Sequence, residues 1–141
     1  MLLSELLRRF RVDANDKVEP YFNEDIDAIA WINDAVNEAC IRGRLLHESQ
    51  DSDVCQIPVA AGTSQYTLHP SLYELTHVWF EPDNGFRGSN LSVVSPEYLD
   101  QRYSENWRRL KGMPQFAIQD DTTIRLVPMP DLGGELQLEG Y

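Results

Sequence analysis

Of the 141 residues only two are cysteine and three are histidine, a scarcity that removes several kinds of chemistry at once. Cys40 and Cys55 cannot build a disulfide framework, and their spacing is not that of metal ligands, so both read as buried free thiols. His69 and His77 with Glu74 between them form H-x4-E-x2-H, which is not the helical zinc-protease arrangement, and His47 stands alone. Structural roles are expected for all three. "DNGFRG" and "DLGG" are turns rather than phosphate-binding loops, and no serine sits in a G-x-S-x-G elbow. Asp120-Asp121 reads as a turn former rather than a metal site, and no pair of carboxylates is held at a defined catalytic spacing. The expectation is no catalysis, no cofactor and no metal.

Long apolar runs are missing too. None approaches the roughly 18 residues needed to span a bilayer. "MLLSELLRRF" lacks the basic-then-apolar order of a signal peptide. The chain reads as soluble, without membrane association, and not exported by that route.

Lysine is nearly absent as well: ten of the twelve basic residues are arginine, leaving Lys17 and Lys111. Arginine is enriched and lysine depleted at protein interfaces, so the bias hints at partners. The net charge is −11, with 12 acids against 6 bases in residues 1–53 and 11 against 6 in residues 54–141. An excess spread so evenly disfavours tight nucleic-acid binding, which requires a basic surface. A wall that DNA passes without sticking remains compatible with it.

What the chain does have is ordinary core-forming content, 42% hydrophobic and 25% charged, enough for one domain or a domain with an appendage. Leu3, Leu6, Leu7 and Phe10 recur at helical spacing over residues 2–16, with Arg8, Arg9 and Arg11 turned elsewhere. Pro20 ends that segment. Asn23 is a plausible N-cap for a second helix from about Glu24 to Leu45 or Leu46, with Glu24, Asp25 and Asp27 in its first turn. Ile26, Ile29, Ile32, Val36 and Cys40 share one face of it, the expected core stripe. Trp31 lies on another sector, flanked by Asp27, Asp34 and Glu38, so this helix is expected to touch two things: the core, and either the β-region or a neighbouring subunit.

After Gln50 short strands take over. "VCQIPV" and "SQYTL" flank a turn at residues 60–63, and "LYELTHVWF" alternates. Tyr73, Leu75, His77 and Trp79 fall on one face there, Thr76, Val78 and Phe80 on the other. "EPDNGF" is a turn, and "LSVV" a further strand. Ser95 caps and Pro96 opens a helix over about 96–110, with Leu99, Tyr103, Trp107 and Leu110 as one apolar stripe. Phe116 and Ile118 pair with Ile124 and Leu126 across Asp120-Asp121, giving a hairpin with a single apolar face. Pro128 and Pro130 interrupt pairing, and a last strand carries Leu136 and Leu138 inward. Arg102, Arg108, Arg109 and Lys111, interleaved with Tyr103 and Trp107, form a basic–aromatic patch. It could stack on nucleic acid. The favoured reading is that the aromatics pack on the sheet and the arginines meet acids nearby or across an interface.

This order of elements resembles the head-to-tail adaptor (connector) proteins of tailed bacteriophages, including relatives of tail tubular protein A of short-tailed phages. The most specific stretch is G-x-P-x-F, a short acidic turn, I-x-L-x-P-x-P-D and a glycine turn, placed at Gly112, Pro114, Phe116, Ile124, Leu126, Pro128, Pro130 and Asp131. The resemblance spans nearly the whole chain. It implies a structural virion protein in a homo-oligomeric ring, usually of twelve subunits, beneath the portal protein. Such a ring extends the DNA channel and gives tail or nozzle proteins a docking surface, with host cytoplasm as the place of assembly. Similar adaptors often continue past the last strand into further helices. A chain stopping at Tyr141 is therefore expected to have neighbours or the portal cover its first two helices.

The expected architecture is α+β: a helical hairpin or bundle over 1–50, then a small antiparallel β-region over 51–141 with the inserted helix. The candidate subunit and partner contacts are Trp31 with Asp27, Asp34 and Glu38, then Arg102, Trp107, Arg108 and Arg109. Pro128, Pro130 and the terminal strand with Tyr141 are expected to leave an edge for another chain. The rival class is an acidic regulator such as a DNA-mimic inhibitor. It would order its carboxylates at phosphate-like spacing on one face, and the even scatter of acids argues against it.

Overall fold

The computed structural model describes residues 1–141, the side chain of residue 105 apart. The protein is α+β and divides into two compact units, Met1–Leu45 and Leu46–Tyr141.

The first unit is a pair of helices, α1 (Leu3–Asp13) and α2 (Asp25–Gly43). Its centre is polar, which the periodicity did not announce. Arg11, expected to turn away, is only 7% exposed and lies over the Tyr21 ring at 4.1 Å. A buried guanidinium must be paired. Its Nη1 donates to Asp16 Oδ2 at 2.7 Å and to the Asn23 carbonyl at 2.6 Å, and its Nη2 donates to Asp25. Asn23 therefore does not cap α2. Its backbone is spent on Arg11 and Asp16, and Glu24 takes the N-cap position without a side-chain bond. The helix ends at Gly43 rather than Leu45, because Arg44 turns left-handed at φ 49° and the Leu45 N–H closes back on the Cys40 carbonyl.

The expected core stripe of α2 is also corrected. Ile29, Ile32 and Cys40 are half-buried, but Ile26 is 72% and Val36 52% exposed. The one buried residue of the helix is Ala28. A single partner helix can cover only a narrow strip of a cylinder, so a broad apolar face stays open.

The second unit holds β1 (Gln56–Val59), β2 (Gln65–Thr67), β3 (Leu75–Pro82), β4 (Ser89–Asn90) and β5 (Ser92–Val93). After the inserted helix come β6 (Lys111–Gly112), β7 (Phe116–Gln119), β8 (Thr123–Val127), β9 (Met129–Pro130) and β10 (Gly134–Gly140). One sheet runs β1-β10-β3-β4, the other β2-β8-β7-β5, and β6 with β9 makes a short pair. Two of these pairings, β5 with β7 and β6 with β9, are parallel, which an all-antiparallel expectation misses. The first residues of "VCQIPV" form a helical turn, α3 (Ser52–Cys55), started by the Asp51 side chain accepting from the Asp53 N–H. Of "LSVV" only Ser92–Val93 is strand: the chain crosses between the sheets at Leu91, with β4 before it on one and β5 after it on the other.

The main core lies between the sheets. Val78, Phe80, Leu136 and Leu138 come from one, and Ala117, Ile124 and Leu126 from the other. The alternation of β3 holds for Val78 and Phe80 but fails at Leu75, which is buried although expected on the opposite face. A bulge explains this. His77 faces Glu139 and Leu75 faces Gly140, so Thr76 is an extra residue that swings Leu75 inward.

The hairpin register differs from the expected one. Phe116 faces Val127, Ala117 faces Leu126 and Ile118 faces Arg125, and the Asp120 N–H closes on the Thr123 carbonyl, so the turn is at Asp121-Thr122 instead of Asp120-Asp121. A shift of one residue exchanges faces. The hairpin is apolar on both sides: Ala117, Ile124 and Leu126 line the main core, while Ile118 and Val127 line a second one with Leu99 and Trp107.

The largest correction concerns the end of the chain. β10 is an interior strand, paired with β1 on one side and β3 on the other. Met129–Pro130 is likewise paired, with Lys111–Gly112. The Tyr141 N–H donates to the Glu74 carbonyl at 2.9 Å, and its own carbonyl accepts from Tyr73 N–H at 2.7 Å. No strand margin is left there for a partner; the sheet edges are β1, β4, β2 and β5.

This packing makes Gly134 obligatory, since a Cβ there would run into the Glu81 carbonyl oxygen and the Phe80 ring. Gly134→Ala should destabilise the β-unit by about 1–3 kcal/mol in urea unfolding, as overpacking does. Gly62→Ala, at φ +80° but with open space around it, serves as the comparison.

Candidate assembly surface

The inserted helix begins as expected. The Ser95 hydroxyl accepts from the Tyr98 N–H at 3.3 Å, Pro96 follows, and α4 runs Pro96–Tyr103. It does not reach residue 110. Ser104 adopts φ +56°, and the chain continues as a 3-10 turn over Ser104–Arg109. Serine and asparagine are weak helix formers, and the turn folds back so that Trp107 Nε1–H reaches Asp100 Oδ1 at 2.6 Å. The single apolar stripe is thereby broken. Leu99 and Trp107 are buried, Tyr103 is half-buried, and Leu110 is exposed.

The arginines gather around these aromatic rings. Arg102 donates to the Tyr103 and Tyr98 hydroxyls, both at 3.3 Å, and lies 5.9 Å from the Phe116 ring. Arg108 stacks 4.2 Å over Trp107 and pairs with Asp100 at 3.1 Å. The indole N–H, and then Arg108, hold the Asp100 carboxyl below its usual range. Arg125 reaches the same Trp107 ring at 5.4 Å. Residue-by-residue reading passed over Arg125. Its signal was the alternation of Thr123, Arg125 and Val127 against Ile124 and Leu126, visible only with the correct register. Arg109 and Lys111 are exposed beside this shelf.

The other candidates divide. Trp31 is 50% exposed and packs 5.9 Å from Phe10. Asp27 and Asp34 are exposed, and Glu38 pairs with Arg42 one turn on. Trp107, at 2% exposure, is a core residue whose ring has no free face. Pro130 is buried and Pro128 half-buried. The Tyr141 ring meets His47 edge-on at 5.1 Å.

A cavity of about 290 Å³ beside α3 is lined by Gln50, Cys55, His77, Trp79, Gln137 and Glu139, among others. Burial pushes the Cys55 thiol up, so it stays protonated and weakly nucleophilic. Among the described residues no group of three or more His, Cys, Asp or Glu side chains is placed to hold a metal ion. No helix among them is long and apolar enough to cross a membrane.

Comparison with curated proteins finds no match. A family model, however, covers residues 1–141, the SU10 adaptor protein. It agrees with the bacteriophage adaptor resemblance read from the sequence. The chain belongs to the SU10 adaptor protein family and is a bacteriophage adaptor protein.

Proposed function

We propose that the chain is a structural head-to-tail connector, copies of which build a ring, twelvefold, beneath the portal of the virion. The ring extends the DNA channel and gives tail proteins a docking surface, without catalysis. Assembly takes place in host cytoplasm, and the ring remains at the head–tail junction.

The observation that carries this reading is α2. It is 19 residues long yet buries only Ala28, leaving Ile26, Trp31, Val36 and Ile41 exposed. Apolar faces of that extent on a virion adaptor are contact surfaces. The even acidity supports a channel role. Each copy adds −11 to the ring, a wall that repels DNA instead of gripping it.

The test is to incubate the purified chain with portal-bearing capsids lacking tails and to image the vertex. A ring of density below the portal is the expected result. A chain that stays monomeric by light scattering with and without portal overturns the proposal, as does a strongly basic lumen in the assembled ring.

A further inference from the structure

The C-terminal unit holds six basic residues, and five of them (Arg102, Arg108, Arg109, Lys111 and Arg125) fall in the 24 residues around the aromatic shelf. Carboxylates are abundant in this unit, yet among the described residues only Arg108 of the five has a carboxylate partner there. Arg102 is bonded to phenol hydroxyls, Arg125 to the face of a ring, and Arg109 and Lys111 to nothing described. A folded chain with a surplus of acids that leaves its cations unpaired presents them to something outside.

Two polyanions fit such a surface: nucleic acid, or the acidic face of a helix. Single strands bind by stacking bases on exposed rings. Here Trp107, at 2% exposure, is covered by two arginines and Phe116 by Arg102 and two tyrosines, which leaves Tyr98 as a single exposed ring where a strand would need several for its successive bases. Duplex DNA is a continuous line of charge, one per roughly 1.7 Å, and it would meet the Asp100 carboxylate, 3.1 Å from Arg108. A short helix face avoids that conflict. The protein carries one such face. Asp27, Asp34 and Glu38 stand at i, i+7 and i+11 of α2, on one side of the helix, with the half-exposed Trp31 on the same flank and Glu38 shared with Arg42.

We propose that the arginine–aromatic shelf of one copy receives the Asp27–Asp34–Glu38 face of α2 from a second copy. The guanidinium forks take the carboxylates, and Trp31 gains apolar cover from the exposed ring of Tyr98. The two surfaces differ, so the contact is head-to-tail and propagates into a ring instead of closing a dimer. This rests on the ring reading above and names which faces meet.

Charge exchange tests it. One variant carries Asp27→Arg, Asp34→Arg and Glu38→Arg; the other carries Arg102→Glu, Arg109→Glu and Lys111→Glu, sparing Arg108 and Arg125 because they cover Trp107. Each alone brings like charges together and should lower ring yield on portal-bearing capsids at least about tenfold, since facing like charges cost several kcal/mol. An equimolar mixture should restore rings, because every junction between unlike copies is again complementary. Rescue by mixing occurs only when the two faces belong to different copies. Wild-type yield from either variant, or a mixture that stays unassembled while the wild-type chain assembles, overturns the inference and leaves the ring intact. Capture of a labelled duplex by the wild-type chain, lost in the shelf variant, assigns the shelf to phosphate and also overturns it. If the wild-type chain forms no ring, the ring reading falls and this contact with it. Circular-dichroism melts check that each variant folds. Should either fail, the neutral set Asp27→Asn, Asp34→Asn and Glu38→Gln decides: its ring yield must drop and lose its salt dependence, and an unchanged yield overturns the contact.

Discussion

A chain ended after Asp131 should not fold its β-unit. The ten missing residues look expendable in the sequence, but they include the strand that joins β1 to β3. Removing β10 deletes Leu136 and Leu138, 0% and 1% exposed, worth about 1.5–3 kcal/mol each in apolar burial. It also strands the ladder groups of both neighbours, each an unpaired donor or acceptor costing about 1–3 kcal/mol where water cannot reach it. Against a typical net stability of about 5–15 kcal/mol, that is enough to unfold the unit. The expected readout is loss of the near-ultraviolet dichroism of Trp79 and Trp107 and of the cooperative melt. A truncated chain melting within a few degrees of the full one would show that β10 is an addition to a sheet already complete.

Replacing Asp16 by alanine should release the segment between α1 and α2. The Asp16 carboxylate accepts from the Phe22 N–H at 2.8 Å, the Asn23 N–H at 2.9 Å and Arg11 at 2.7 Å. Those two backbone bonds come first in holding its pKa below the usual aspartate range, and the charge and hydrogen bond of Arg11 add to them. Without Asp16, Arg11 keeps Asp25 but loses its most buried partner. By hydrogen exchange on the full chain, the amides of Phe22 and Asn23 should move from protected to nearly unprotected, while β3 and β10 are unaffected. The same site sets a pH response. A carboxylate depressed in the folded state stabilises it fully above its unfolded value, about 3.9. That contribution fades as pH falls through the lower folded value. Acid should therefore loosen the α1–α2 segment, and Asp16→Asn should remove that pH dependence. Equal acid sensitivity in the variant would assign the effect to other carboxylates.

Local signals were read correctly where the cause is local. Ser95-Pro96 opens a helix wherever it lies, and Asn84-Gly85 turns the chain: the Asn84 side chain accepts from the Phe86 N–H at 3.0 Å, and Gly85 sits at φ +75°. Leu136 and Leu138 point inward as their alternation requires. The run from Gly112 to Asp131 carried the adaptor resemblance because proline and glycine spacing survives as sequence. Arg11 was misread because a charged residue on a helix is ordinarily solvated, and only the convergence of Asp16, Asn23 and Asp25 makes burial tolerable. Arg125 was missed because its neighbours depend on a register that the position of the turn, one residue further along, decides.

Sequence by itself determined the Asn84-Gly85 turn and the Ser95 cap, since each depends on residues within a few positions of one another, and the order of such local signals along the chain carried the two-part α+β class and the adaptor family. Tertiary structure alone decided that the last strand lies inside a sheet, that the hairpin is apolar on both faces, and that the arginines crowd onto one aromatic shelf. Those outcomes depend on which distant segments share a hydrogen-bond ladder, and pairing of that kind leaves no local mark on the chain.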